Sequence, residues 1–349
     1  MLFSRPHFYI RFVVLFQDNL LISQLMKTVQ QIQESFERYI QTLDYSREPD
    51  ELYAPIRYVL SLGGKRIRPT FLIMAYNMYA DDVERVYVTA AGMEIFHNFT
   101  LLHDDLMDKA DLRRGNATVH KKWNENTAIL SGDGMLVLAY RYLAQASDKD
   151  IRKILGIANE TFTGIMEGQQ YDMEFETRDD VTEAEYIEMI RLKTSVLLAA
   201  CTQMGAVLGG ASDKDAALIY EFGEKVGIAF QLQDDLLDVY GDPAVFGKKI
   251  GGDILCNKKT YLYINAYLLA NAAQKAELDH WAAYDGPDAE AKIAAVRAIY
   301  DAVGVKELSE KLIRSYFAEA MAKLDSVSLP EARKQALKEY ASSLMNRVL

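Results

Sequence analysis

Residues 101–115 read LLHDDLMDKADLRRG, and residues 230–242 read FQLQDDLLDVYGD. Each stretch carries aspartates at i, i+1 and i+4: Asp104, Asp105 and Asp108 in the first, Asp234, Asp235 and Asp238 in the second. On a helix that turns about 100° per residue, positions i and i+4 lie almost over one another, so each stretch projects two carboxylates from one face. A single match of this kind reads as a solvated helix face. Two matches, both set in apolar runs (FTLLHDDLMD and AFQLQDDLLD), read differently, because carboxylates among apolar neighbours are costly unless a cation accompanies them. Clustered hard oxygens suit Mg²⁺, which commonly bridges acidic side chains to substrate phosphates.

The basic residues say what such a metal would hold. SLGGKRIRP at 61–69 sets Lys65, Arg66 and Arg68 beside two glycines that permit close backbone approach, and Arg113 and Arg114 follow the first aspartate cluster. RLKTS supplies Lys193 and Thr194. Beyond the second cluster, FGKKIGGDILCNKKTYL supplies Lys248, Lys249, Lys258 and Lys259. Any one of these lysines is an ordinary surface charge. Their recurrence beside glycines and paired carboxylates points to a diphosphate as the bound anion.

The elements that must position these groups are helices. None of the seven prolines falls between Pro69 and Pro243, and through that span apolar residues recur at three- and four-residue spacing, as in VLLAACTQMGAVLGG and MLVLAYRYLAQA. No alternating apolar/polar run bounded by Asn-Gly or Asp-Gly turns appears, so a sheet has little to be built from. Short loops such as QASDKD, ETRDDVTEA and GASDKDA place Ser or Thr near an acid, an N-cap arrangement. The expectation is a large all-α bundle of roughly ten or more helices.

Composition bounds the rest. The 349 residues are 50% hydrophobic, and no Ser/Gly/Pro-rich linker divides them, so one domain is expected over residues 26–349. Fifty acids against 39 bases give a net charge of −11, which argues against nucleic acid as a partner. Cys201 and Cys256 fit no zinc or disulfide spacing; a reducing cytoplasm and a packing role follow. Residues 1–25 are apolar and basic, but Arg11 interrupts the apolar segment and no small-x-small cleavage site follows, which argues against a signal peptide and a membrane span. Two readings of the segment stand: a helical extension, or an unused upstream start ahead of Met26 and the amphipathic MKTVQQIQESFERYIQTL.

In order and spacing, GGKRIRP, HDDLMD followed by RRG, KT, FQLQDDLLDVYGD, GKK and NKKT resemble the trans-isoprenyl diphosphate synthases, or polyprenyl synthetases, from about residue 30 to the C-terminus. The resemblance implies an all-α isoprenoid-synthase fold with a central cavity, usually a homodimer, whose two aspartate motifs face each other and bind about three Mg²⁺ around an allylic diphosphate. It assigns Asp104, Asp108 and Asp234 to the metals, with Asp105, Asp235 and Asp238 as additional or water-mediated ligands. Arg113, Lys193, Thr194, Gln231, Lys248 and Lys258 would contact the allylic diphosphate; Lys65, Arg68, His97 and Arg114 would hold isopentenyl diphosphate. Asp104, Asp108, Asp234, Lys193 and Arg113 would carry catalysis. Ionisation of the allylic C–O bond leaves a carbocation and a diphosphate anion, so metals and cationic side chains stabilise the leaving group, and no side-chain general base is required. Counting five back from Asp253 selects Lys248, while a four-residue count used by some members selects Lys249. Gln169 and Asp172 in EGQQYDMEFE resemble the family's GQxxD stretch and read equally well as a polar helix face.

The family sets product length with the residues four and five positions before the first aspartate motif, here Thr100 and Phe99. Phe99 is larger than the small residue typical of long-chain members, and the paired aromatics or motif insertion typical of fifteen-carbon members are absent. The pattern favours C20 over C15. On an ideal wheel Thr100 lies about 40° from Asp104 and Phe99 about 140°, so helix geometry makes Thr100 the better floor residue. The rival readings are a longer-chain synthase, a terpene cyclase or non-catalytic subunit on the same fold, and a di-iron carboxylate protein built on the Glu-x-x-His pairs Glu94/His97 and Glu277/His280. A cyclase or non-catalytic subunit would normally lack one of the motifs kept here, and the di-iron reading leaves both aspartate repeats and GGKRIRP unexplained.

Overall fold

The computed structural model describes residues 26–242 and 250–345. The extension at residues 1–25, Lys248 and Lys249 lie outside these described residues. In chain order the helices are α1 (Val29–Gln41), α2 (Asp50–Ser61), α3 (Ile67–Asn77), α4 (Tyr87–Met107), α5 (Val119–Lys122), α6 (Glu125–Leu143), α7 (Ile151–Phe175), α8 (Glu183–Ile190), α9 (Val196–Gly209), α10 (Asp213–Tyr240), α11 (Gly252–Leu255), α12 (Tyr261–Leu269), α13 (Ala272–Ala282), α14 (Ala289–Val303), α15 (Val305–Asp325) and α16 (Glu331–Met345). The strands among the described residues are a two-residue pair, Leu112–Arg113 against Asn116–Ala117. The all-α class expected from periodicity is what forms.

The chain divides into two compact units. The first gathers the described residues as far as Ala158 with Cys201–Ala217 and Ser328–Leu337; the second holds Asn159–Ala200, Leu218–Val327 and the described residues from Lys338 onward. In the first unit α3 is buried at every position from Pro69 to Asn77, the pattern of a helix surrounded on all sides. Pro69 is tolerated because it falls in the first turn, where the missing N–H has no intrahelical partner to lose. Helix α4 packs mainly on α6 and buries Met93, Ile95, Phe96 and Phe99. Each such side chain contributes about 1.5–3 kcal/mol on leaving water, which fixes the helix that carries the first aspartates.

The core of the second unit is built from Tyr186, Ile190, Leu232, Leu236, Leu262 and Tyr300, among others. Its helix starts follow the expected chemistry: Thr182 and Glu185 form a capping box ahead of α8. In the first unit the Ser212 hydroxyl accepts the Asp215 N–H at 3.1 Å beside the start of α10. The stretch Glu183–Gly209 is long and apolar enough to cross a membrane, and 67% of its most apolar window is buried inside the fold. The packing role expected for both cysteines holds for buried Cys201 but not for Cys256, which is exposed just beyond α11, a helix of only four residues.

Candidate active site

In the first unit the chain builds a carboxylate–guanidinium cluster within a few dozen residues. Asp104 and Asp108 stand one turn apart, with the Asp108 N–H bonded to the Asp104 carbonyl at 2.9 Å. Helix α4 then stops. Lys109 takes a left-handed φ of 53°, its N–H bonds to Leu106 O at 3.2 Å, and the Ala110 N–H reaches Asp105 O at 2.9 Å. This is the Schellman arrangement, with lysine where glycine is usual. The following hairpin pairs Leu112 with Ala117 and Arg113 with Asn116, and Arg114 and Gly115 between them both have positive φ, as a tight two-residue turn of matching twist requires.

The hairpin folds Arg113 back onto the helix it has just left. Its Nε donates to both Asp105 oxygens at 2.9 and 3.0 Å, Nη2 lies 2.7 Å from Asp105 Oδ1, and Asp104 Oδ2 is 3.7 Å away. Asp105 is 5% exposed. Burial pushes its carboxyl above the ordinary range, and Arg113 opposes that. Arg114 instead reaches the GGKR loop, where it donates to the Gly63 carbonyl. Gly64 has φ 151°, and a Cβ there would sit 2.9 Å from Arg114 Nη2, so the second glycine serves both backbone conformation and the close approach of the guanidinium.

Arg68 Nη1 lies 3.0 Å from His97 Nε2. Arginine only donates, so His97 accepts at Nε2 and carries its proton on Nδ1. Burial first, then Arg68, Arg114, Arg113 and Arg66, hold the imidazole well below its ordinary pKa. Lys65, three positions before Arg68 in the chain, is exposed. Arg66 is a different case: it is buried, paired with Glu37 at 3.0 Å and Glu94 at 2.7 Å, and therefore belongs to the fold and not to the anion contacts that its place in GGKRIRP implied. That pairing also occupies the Glu94 of the Glu-x-x-His rival. Glu277 and His280 are exposed.

The second unit gathers the KT pair and the second aspartates. Residues Arg191–Ser195 form a π-helical turn between α8 and α9, a local widening frequently found at functional sites. It presents Lys193 and Thr194. Lys193 Nζ donates to Asp172 Oδ2 at 2.5 Å, and the Thr194 hydroxyl donates to Gln231 Oε1 at 3.1 Å. Gln231 Nε2 in turn donates to Asp235 Oδ1 at 2.9 Å, and the buried Tyr186 hydroxyl donates to Asp235 Oδ2. Asp238 Oδ2 accepts the Asp253 N–H at 2.9 Å. Burial would raise Asp172, but Lys258 and Lys193 outweigh it and hold the carboxyl low. Asp235 moves the other way, raised by burial and then by Asp253. Gly168 lies against the backbone of Lys193, where a Cβ would collide, so the glycine of EGQQYD lets α7 touch the π turn and bring Asp172 to Lys193 one turn later.

The donor chemistry fits Mg²⁺. Asp104 with Asp108 and Asp234 with Asp238 each offer two hard-oxygen ligands four residues apart. Among the described residues no three acidic, histidine or cysteine side chains form a ready ligand set. That is compatible with an ion that takes one or two carboxylates and fills its octahedron with water and substrate phosphate.

The first unit thus brings together Arg68, His97, Arg113, Arg114 and the first aspartates, with Lys65 near them in sequence; the second brings together Lys193, Thr194, Gln231, Lys258 and the second aspartates. Asp172, left open between cavity lining and helix face, joins the second group. Tyr186 was missed. A lone tyrosine near the start of a helix gives no sequence signal for a partner 49 residues away.

A family model described as polyprenyl synthetase matches residues 49–301. The geranylgeranyl diphosphate synthase of Methanosarcina mazei is 40% identical over 302 residues, covering 86% of this chain and 90% of the relative. The geranylfarnesyl diphosphate synthase of Natronomonas pharaonis is 35% identical over 320 residues, covering 86% and 91%. A crystal structure of a geranylgeranyl pyrophosphate synthase superposes with a TM-score of 0.88 at 41% identity, covering 93% of this chain and all of that one.

Proposed function

The chain belongs to the polyprenyl synthetase family, and on that footing we propose that it condenses isopentenyl diphosphate with allylic diphosphates to a C20 trans-polyprenyl diphosphate. The observation that carries the reading is the cationic neighbourhood of the first unit, where Arg68 donates to a neutral imidazole and Arg114 to a backbone carbonyl. Such donors suit a polyanion of matching size. Lys65, Arg68, His97 and Arg114 hold isopentenyl diphosphate. Arg113, Lys193, Thr194, Gln231, Lys248 and Lys258 hold the allylic diphosphate, and Asp104, Asp108, Asp234 and Asp238 serve as metal ligands. Mg²⁺, when bound, neutralises the charge that develops on the leaving diphosphate. Lys193 and Arg113 add fixed positive charge to the same leaving group, and the apolar helices exclude water from the carbocation. The isopentenyl double bond attacks that carbon, the C–C bond forms, and a proton passes to the released diphosphate. Asp105 and Asp235 orient the aspartates beside them and would be additional or water-mediated ligands of the metal.

Product length rests on α4. Phe99 is buried against Phe96 and His103, with ring centroids 5.4 and 4.8 Å apart, while the Thr100 hydroxyl bonds to His97 O at 2.8 Å. Two of the three relatives reported above are named geranylgeranyl synthases and the third a geranylfarnesyl synthase, a balance that favours C20 over C15. We read residues 26–349 as one catalytic domain, since α7, α9, α10 and α16 each run through both compact units. A cytoplasmic homodimer is part of the proposal. Its contact lies on the α6 face that exposes Ile129, Leu130 and Val137, where an antiparallel pairing centred on Val137 sets Asp133 opposite Arg141 of a second copy.

The test is incubation of the purified protein and Mg²⁺ with labelled isopentenyl and dimethylallyl diphosphates, followed by chromatography of the dephosphorylated products. A C20 alcohol is expected, longer in Phe99→Ala and shorter in Thr100→Phe. No incorporation would overturn the proposal, and a wild-type distribution in both variants would remove α4 as the floor. Light scattering checks the dimer.

A further inference from the structure

Lys292, on α14, is 5% exposed, yet no carboxylate among the described residues pairs with it. Its ammonium donates to Asn257 Oδ1 at 2.8 Å and reaches the Leu255 carbonyl at 3.5 Å. Both acceptors lie in the turn that ends α11, where Asn257 takes a left-handed φ of 53°. The Asn257 amide is held on its other side by donation to Ala282 O at 2.9 Å, and the next residue is Lys258, whose N–H bonds to Asp253 O at 2.9 Å. The charge of Lys258 reaches both Asp172 and Asp235. One buried ammonium thus grips the turn from which a candidate diphosphate contact projects.

A lysine here is an expensive way to fill space. Holding an ammonium against two neutral acceptors with no carboxylate beside it costs free energy that an unbranched apolar side chain of similar length would not. Burial lowers the lysine's pKa, as that cost requires. Stability does not account for the residue, whereas the position of the turn does.

We infer that Lys292 is a positioning residue for the diphosphate site: through Asn257 and the Leu255 carbonyl it fixes the Leu255–Lys258 turn, and so the place from which Lys258 meets the allylic diphosphate. The inference rests on the proposed contact between Lys258 and that substrate. Removing the ammonium frees the turn without touching the substrate, so loss of function and loss of stability separate.

The experiment is steady-state kinetics and thermal unfolding of Lys292→Met, Asn257→Gly, Lys258→Ala and the Lys292→Met/Lys258→Ala double variant. Lys292→Met should raise the allylic KM by about tenfold, leave the isopentenyl KM within about twofold, and keep or raise Tm. Asn257→Gly, which suits the positive φ and removes the acceptor, should shift the same KM in the same direction and carries the test should Lys292→Met not fold. In the Lys258→Ala background the Lys292 substitution should add nothing, because it acts through that side chain. An unchanged allylic KM in both single variants, equal rises for the two substrates, or additivity in the double variant overturns the inference. If Lys258→Ala itself leaves the allylic KM unmoved, the substrate contact falls; the positioning claim then stands on a crystal structure of Lys292→Met, and an unshifted turn overturns that as well.

Discussion

The two aspartate clusters have nearly the same local sequence, DDLMD and DDLLD, and their middle carboxylates are equally hidden, Asp105 and Asp235 each being 5% exposed. They are anchored differently. Asp105 is held by the guanidinium of Arg113, eight residues on, while Asp235 is held by two neutral donors, the Tyr186 hydroxyl and the Gln231 amide. Of the cations of the second neighbourhood, Lys193 bonds to Asp172, and the charge of Lys258 acts on Asp172 and, without a hydrogen bond, on Asp235. A repeated motif therefore fixes ligand spacing but not electrostatic setting, which depends on what the rest of its own unit brings against it. The middle carboxylate of the first cluster is hydrogen-bonded to its own counterion; that of the second is hydrogen-bonded to neutral groups, with the charge of Lys258 acting on it from further off.

The largest effects should come from the carboxylates that both clusters share. Asp104→Ala and Asp234→Ala should each lose several kcal/mol of leaving-group stabilisation, on the order of a hundredfold or more in kcat, with folding intact. Full turnover of either variant at saturating Mg²⁺ would remove that carboxylate from the ligand set. Anchoring should then divide the clusters. Arg113→Met strands a buried carboxylate and should cost about 3–5 kcal/mol of unfolding free energy, toward the lower figure because the guanidinium is partly exposed. Tyr186→Phe removes one neutral donor of two and should cost about 1.5–3 kcal/mol. Urea unfolding measures both. Equal costs would mean that the difference between charged and neutral anchoring has no energetic content.

How much of this the sequence disclosed follows from how local each interaction is. The helical class, the capping at Thr182 and the i, i+4 carboxylate pairs depend on neighbours within one or two turns, and periodicity exposes them. The first cluster is almost as local, since Arg113 returns to Asp105 through an eight-residue excursion. The second is not. Tyr186 and Asp235 are 49 positions apart, Lys193 and Asp172 are 21 apart, and the glycine that admits α7 to the π turn looks like any helical glycine until the close approach is seen. Arg66 shows the opposite failure, because a basic motif does not say which of its side chains turns inward; burial against Glu37 and Glu94 decided that. Residue type announced the chemistry, and tertiary packing chose the partners.

The smallest effect tests the surplus of positive charge that sets the first neighbourhood apart. His97 stands among Arg68, Arg114, Arg113 and Arg66, and burial together with those guanidiniums keeps it neutral well below the ordinary histidine range. In the unfolded chain it titrates near pH 6.5, so below that pH the unfolded state binds a proton that the folded state refuses. The folded state is then favoured above pH 6.5, and the advantage is lost as pH falls through that value. Over the window from pH 6.5 to 5.5 the loss amounts to about 1 kcal/mol for one proton, and His97→Gln should lack it. Urea unfolding of both proteins at the two pH values isolates the difference, since carboxylates that titrate in the same range contribute equally to each. Inorganic pyrophosphate bound in the neighbourhood would offset the arginines but not the burial, so it should shrink the difference without abolishing it. If wild type and His97→Gln lose stability in parallel, the imidazole accepts its proton in the folded state and the neighbourhood is not cation-rich. The contrast with the second unit would then rest on the anchoring of Asp105 and Asp235 alone.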